Sequence, residues 1–374
     1  MPATPPDLVH YQSPGEDSGR WIGFRFRPGD IVISTRRKTG TTWVQMICAL
    51  LIFQTSELPD PLWLLSPWLD NLGIPPSAQY DQLAEQQHRR FIKTHTPLDG
   101  IPLDPRVSYI VTARHPLDTF VSLCHHNEIF GPPPEGFGPP PEGFGHPPGG
   151  FGHPPGGFGH PPGGFGHPPE GFGPPPGGFG PPPPLKHPPG QPRPPMPGGP
   201  PRHPALPLQP PSAAPGPPMS PEMVHDALLD WIAGDDDPGR NLDSLPGVLW
   251  HLSDAWARRG RPNVLIVHYD NLLADLEGQM RWLAGRLGIA VPENAWPTLI
   301  KAATLEHMRD RAESLIPTPP GAVKEAASFF RRGTSGAGRE ILNDEEMAGY
   351  YARAAQLAPP DLLEWLHSPS SRVG

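Results

Sequence analysis

Four polar residues, Lys38, His95, Arg114 and Tyr269, each stand at or just after the end of a short apolar run, where they could meet on one anionic ligand. The first belongs to STRRKTGTTWVQ (residues 34–45), in which one lysine, one glycine and a cluster of hydroxyls follow Ile31-Val32-Ile33 and lead into the apolar stretch 46–53. A strand, a short loop and a helix aim free backbone N–H groups and the positive helix end at one spot, so phosphate is the first ligand expected. The pattern G-x-x-x-x-G-K-[ST] is nevertheless missing: no glycine opens the loop, and Lys38 precedes Gly40. The loop is not that of an ordinary ATPase.

The elements that must position these residues follow from apolar patterning. Residues 29–33, 90–93, 107–113 and 263–269 read as strands. Residues 42–54, 81–89, 116–127, 225–232, 245–259, 272–287 and 296–308 read as helices, with Pro116 well placed at a first turn and Gly288 as a stop signal. Residues 58–70, rich in Trp, Leu and Pro, read as an irregular wall or lid. Strands alternating with helices imply a mostly parallel sheet with helices on its faces. In such sheets ligands sit beyond the carboxyl ends of the strands, which is where Lys38, His95, Arg114 and Tyr269 fall.

Of the 374 residues, 62 are proline and 43 glycine, and the excess lies between Gly131 and Pro221. That segment holds seven copies of the unit Gly-(Pro/His)-Pro-Pro-(Glu/Gly)-Gly-Phe, with phenylalanines at 137, 144, 151, 158, 165, 172 and 179. Its prolines exclude a coiled coil, and glycine is not every third residue, which excludes collagen. A disordered insertion with polyproline-II tendency is expected, and it is a candidate docking segment for an unidentified protein. Neighbouring repeat histidines (His146, His153, His160, His167) would lie roughly 22 Å apart in extended polyproline-II, too far to share an ion. The expected organisation is one catalytic domain made of residues 1–130 and 222–374, interrupted by 131–221. A net charge of −9 gives no support for nucleic-acid binding. No apolar run is long enough to span a bilayer, the N-terminus lacks a signal-peptide pattern, and the two cysteines, Cys48 and Cys124, read as buried reduced thiols; a cytoplasmic protein is expected.

Taken together, RRKTGTTW, FIKTHTPLDGIP, YIVTARHPLDTFVSL and FFRRG resemble the marker regions of the cytosolic sulfotransferase family, in the family's order, from about Ser18 to Arg332 with the insertion skipped. The resemblance implies a P-loop-like three-layer α/β/α domain that moves a sulfuryl group from 3′-phosphoadenosine-5′-phosphosulfate (PAPS) to a small hydroxylated or phenolic acceptor or an amine, with no metal. It implies a 5′-phosphosulfate loop of Lys38, Thr39, Gly40, Thr41 and Thr42, with Lys38 on the bridging oxygen and Trp43 against adenine. In KTHTP it implies His95 as general base, a task for which imidazole has a suitable pKa, and Lys93 as a second positive charge. Arg114 and Ser122 match the 3′-phosphate site, Arg331, Arg332 and Gly333 the segment closing over it, and Tyr269, Thr304 and Leu305 the adenine side. Arg37 stands where the family has proline, Thr39 where it has serine, and Gly336-Ala337-Gly338-Arg339 where it has Gly-Asp-Trp-Lys. Trp63, Trp68, Tyr80 and Phe91 are expected to line an apolar acceptor pocket. The rival readings are a non-catalytic nucleotide- or partner-binding descendant and a nucleotide-dependent kinase, for which Mg²⁺ ligands are not evident.

Overall fold

The chain opens with a hairpin of β1 (Gln12–Ser13) and β2 (Glu16–Asp17) and then contributes a four-stranded sheet: β3 (Ile31–Thr35), β4 (Phe91–Thr94), β5 (Ser108–Ala113) and β6 (Val264–His268). The sheet order is β4-β3-β5-β6 and every pairing within it is parallel. This is the α/β architecture that the alternation of strands and helices implies. The computed structural model describes residues 8–130, 218–316, 330 and 333–368; the repeats and their expected disorder lie outside these residues, as do Arg331 and Arg332.

Period-2 alternation assigns the strand side chains to two apolar layers. Val32, Ile92, Tyr109, Val111 and Ile266 face a core shared with helices Pro116–Phe130, Leu245–Ala257 and Asp344–Leu357. Ile31, Ile33, Phe91, Ile110 and Leu265 face a second core built on helices Thr41–Phe53, Leu276–Leu287 and Trp296–Ala302. With helices on both faces, each strand reads as a continuous apolar run.

Two expected long helices are broken. The segment 272–287 divides at Asp275, whose carboxylate accepts from Gly278 N and caps Leu276–Leu287. The segment 296–308 divides at Thr304, whose hydroxyl accepts from His307 N and caps Leu305–Asp310. In both cases the apolar period runs on through the break, so only the capping residue marks it. The helix expected at 81–89 lies earlier, at Pro76–Glu85, and the irregular wall contains one short helix, Leu62–Leu65. Cys48 and Cys124 are both buried and unbridged, and burial pushes their thiols up to about 12 and about 11.

Candidate active site

Chain connections leave β3 and β5 in opposite directions, toward β4 on one side and β6 on the other. Such a switch point opens a crevice at the carboxyl ends of the two strands. The loop after β3 fills its near side. Lys38 (φ 65°) and Gly40 (φ 111°) both adopt positive φ, and a Cβ on Gly40 would lie 3.1 Å from the Tyr269 ring, so glycine suits this position on both counts. Helix Thr41–Phe53 begins directly after Gly40 without a side-chain cap, which leaves its first amides available to a ligand.

A cavity of about 470 Å³ opens here, and its lining includes Lys38, Gly40, Thr41, Thr42, Trp43, Arg114, Ser122, Tyr269, Leu305 and Gly333. Arg114 spans the crevice: its Nη1 donates to the Lys38 carbonyl at 3.0 Å, and its guanidinium lies 4.4 Å over the Tyr269 ring. Trp43 meets Tyr269 edge-on at 5.3 Å and donates through Nε1 to the Ala303 carbonyl at 2.8 Å, forming a fixed aromatic wall. Two expected contributors are placed differently. The Thr39 hydroxyl is buried, donates to the Arg36 carbonyl at 2.8 Å and meets Thr112 Oγ1 at 2.8 Å, so it ties the loop to β5 instead of facing the cavity. The Thr304 hydroxyl caps its helix, and the next residue, Leu305, reaches the cavity.

His95 and Lys93 lie at the end of β4, on the other side of β3 from Arg114. His95 is 3% exposed, and its Nδ1 contacts the Thr35 carbonyl. A carbonyl only accepts, so Nδ1 carries the proton and Nε2 keeps its lone pair. Burial, then the positive charges of Lys93, Arg36 and Arg37, hold this imidazole well below its ordinary pKa. Lys93 sits 4.1 Å over the Trp68 ring, and the same indole meets His95 edge-on at 4.8 Å. Burial, and next Arg37, lower the Lys93 ammonium to about 8, against the opposing pull of Glu16 and Asp70.

The two halves of the site are joined by a partly buried ionic cluster that sequence reasoning missed. Arg36 donates to the His95 carbonyl at 2.6 Å and to Asp243 Oδ1 at 2.5 Å, while Arg37 Nε donates to Glu16 Oε1 at 3.2 Å. Burial disfavours the Glu16 and Asp243 charges, but Arg36 and Arg37 overcome it and bring both carboxyl pKa values below the ordinary range. Arg37, where proline was expected, is thus anchored by the N-terminal hairpin. Of the residues expected to line an acceptor pocket, Phe91 is not available: it is fully buried in the core beneath the sheet. The Tyr80 hydroxyl donates to the Arg20 carbonyl and its ring packs near Phe24. Trp63 is half-buried, and Trp68 borders Lys93 and His95.

With this geometry in place, likeness to known proteins decides the family. The sulfotransferase domain family matches residues 28–138 and 241–357. A glycolipid sulfotransferase of Mycobacterium bovis is 35% identical over 96% of this chain and 94% of its own length, and one of Mycobacterium tuberculosis is 34% identical over the same shares. The chain belongs to the sulfotransferase family. Solved structures share the fold: retinol dehydratase in complex with androsterone and the inactive cofactor PAP (TM-score 0.54, 16% identity, 92% of this chain and 86% of that one), and a mouse sulfotransferase complexed with PAP (TM-score 0.54, 15% identity, 97% and 94%).

In this sulfotransferase the segment 336–339 differs from the family pattern, yet it is firmly attached. Asp118, in the first turn of helix Pro116–Phe130, accepts from Gly336 N and Gly338 N, each at 2.9 Å. A Cβ at Gly338 would come within 2.5 Å of the Leu117 backbone, so only glycine allows this approach. Asp118 in YIVTARHPLDTF carried no signal of its own, because an acidic residue in a first helical turn is ordinary.

Proposed function

We propose that the protein transfers the sulfuryl group of PAPS to a hydroxyl of its acceptor by in-line displacement. The observation that supports this best is the junction at the ends of β3, β4 and β5. A cationic loop and Arg114 share one cavity, and a neutral imidazole with a free Nε2 lone pair is held to the same loop by Arg36. Thr41, Thr42 and the first amides of helix Thr41–Phe53 would hold the 5′-phosphosulfate. Arg114 and Ser122 would take the 3′-phosphate, the group that distinguishes PAPS from ATP. Arg331, Arg332 and Gly333 would close over that phosphate, with Trp43, Tyr269 and Leu305 on the adenine side.

His95 Nε2 takes the acceptor's proton as its oxygen bonds to sulfur. The sulfur–oxygen bond to the 5′-phosphate breaks, and Lys38 and Lys93 stabilise the negative charge that develops on the departing oxygen and the sulfuryl group. The leaving group is adenosine 3′,5′-bisphosphate. A sugar hydroxyl of a glycolipid is the first acceptor class to try, since the full-length relatives are named glycolipid sulfotransferases. In the same reading residues 1–130 and 222–374 form the catalytic domain and the repeats stand outside it; residues 218–221, expected in the insertion, go with the domain, since Met219 borders the cavity and a helix begins at Pro221. Incubation of the purified protein with sulfur-labelled PAPS and a panel of glycolipids, alcohols, phenols and amines tests the proposal. Label transfer to a hydroxyl is expected; no transfer to any class, with the bisphosphate bound normally, would instead favour a non-catalytic binder.

A further inference from the structure

Asp70 closes the irregular segment 58–70, and nothing in the sequence singled it out. Its side chain is buried, and one oxygen collects four hydrogen bonds from three consecutive residues. Oδ2 accepts from Thr94 Oγ1 at 2.6 Å, His95 N at 3.1 Å, Thr96 N at 3.1 Å and Thr96 Oγ1 at 2.7 Å. Four donors converging on one carboxylate oxygen give a stiff turn, since charge-assisted bonds are shorter and stronger than neutral ones. The other oxygen, Oδ1, is buried with no hydrogen-bond partner among the described residues. A buried carboxylate satisfied on one side only is costly to maintain, which points to a role beyond local packing.

We propose that Asp70 is a positioning residue for transfer, fixing the turn after β4 so that the His95 imidazole and the Lys93 ammonium keep their places against the β3 loop. The proposal rests on the reading of His95 as base. Three observations support it. The backbone of His95 is held from both sides, its N–H by Asp70 and its carbonyl by Arg36. The ring is then fixed by the Thr35 carbonyl, so imidazole position follows backbone position. The chain from Trp68 to Asp70 also runs beside β4, with Lys93 N donating to the Pro67 carbonyl and Leu69 N to the Lys93 carbonyl, so Asp70 is carried on the same short bridge that positions Lys93. A displacement of about 1 Å at a reacting group costs on the order of 10²-fold in rate.

Asp70 also acts by charge, although burial, and next the neighbouring Glu16, raise its own pKa above the ordinary carboxylate value against the hydrogen bonds that lower it. The groups facing Lys93 are Arg37 from the β3 loop, Glu16 from the N-terminal hairpin, His126 from helix Pro116–Phe130, Asp70 itself and the neighbouring His95, with the Trp68 ring beneath the ammonium. Asp70 and Glu16 are the ones that favour its charged form. Neutralising Asp70 therefore shifts the protonation of Lys93 toward lower pH, an effect that a purely structural residue would not have.

The test is Asp70→Asn, assayed with PAPS and an accepted acceptor, with active sites counted by binding of adenosine 3′,5′-bisphosphate. The expected result is a kcat per binding site reduced roughly 10²-fold. Bisphosphate affinity stays within a few-fold, and the alkaline limb of the kcat profile moves to lower pH. A kcat and pH profile equal to the parent's, after correction for binding sites, overturn the proposal. If Asp70→Asn does not fold, Thr96→Val removes one of the four bonds at little change in volume: a several-fold loss of kcat with normal bisphosphate binding supports the proposal, and parental kcat overturns it. His95→Ala run in parallel separates the two levels. Full activity in that variant defeats the reading of His95 as base, whereas an inactive His95→Ala beside a fully active Asp70→Asn defeats only the role given to Asp70.

Discussion

The Nδ1 of His95 is bound to the main-chain carbonyl of Thr35, the last residue of the strand that leads into the lysine loop. That single contact sets the tautomer of the proposed base and ties it to the loop that would hold the sulfuryl donor. His95→Ala is therefore expected to lower kcat by about 10²–10⁴-fold. Adenosine 3′,5′-bisphosphate affinity should remain within a few-fold, measured by calorimetry. Parental turnover in the variant would make His95 a structural residue.

Ligand choice follows Arg114. Adenosine 3′,5′-bisphosphate should raise Tm by linkage, and ATP with Mg²⁺ should raise it much less. Arg114→Ala removes the proposed fork for the 3′-phosphate together with its bond to the Lys38 carbonyl. The loss expected is about 10–100-fold in bisphosphate affinity, from charge-assisted bonds worth roughly 1.5–3 kcal/mol. Equal Tm shifts from the two nucleotides would return the kinase reading to consideration.

The pH profile should be asymmetric. In the proposed mechanism transfer requires His95 neutral and Lys93 charged. Burial holds the His95 pKa well below the ordinary 6.5, and Lys93 is lowered to about 8. The rate should be flat through neutrality and fall with a midpoint near 8, read from kcat across a pH series. For stability the sign is the same at both groups. Each folded-state pKa is depressed, so the unfolded chain binds more protons, and their contribution rises with pH up to 6.5 for His95 and again between about 8 and 10.5 for Lys93. A rate that keeps rising past pH 9 would exclude a charged Lys93 from the mechanism.

Legibility in the sequence depended on whether the partners of a residue were close along the chain. The strands were plain because their apolar runs are continuous, and the cavity wall from Lys38 to Trp43 was plain because one strand–loop–helix junction carries it. Glu16 and Asp243 were not, since the hydrogen bonds they accept from Arg37 and Arg36 span 21 and 207 positions. The breaks at Asp275 and Thr304 were hidden by apolar residues that continue the helical period on either side. The placement of the Thr39 hydroxyl was hidden for a different reason: a hydroxyl in a phosphate-type loop serves equally to bind ligand or to close the loop, and spacing does not separate the two.

Replacing residues 131–217 with a short Gly/Ser linker should leave a folded protein of similar Tm and unchanged bisphosphate affinity. Loop-closure entropy changes by only about 0.6 kcal/mol per doubling of length. The deletion must spare residues 218–220, because Met219 borders the cavity and the Ser220 hydroxyl accepts from Met223 N to cap helix Pro221–Ala233. Loss of folding, or a bisphosphate affinity reduced tenfold or more, would show that the repeats belong to the catalytic domain.

The two ends of that segment meet the fold at one place. Met219 N donates to Glu128 Oε1 at 3.1 Å, joining the chain before helix Pro221–Ala233 to the last turn of helix Pro116–Phe130. A tension applied through the repeats, by a partner or a surface that holds them, would be delivered across this pair and along the helix that carries Ser122 and Asp118. Pulling on the insertion would thus load the nucleotide side of the cavity, where Ser122 lies, before the force passed through β5 and β3 to the mounting of His95 and Lys93 on β4.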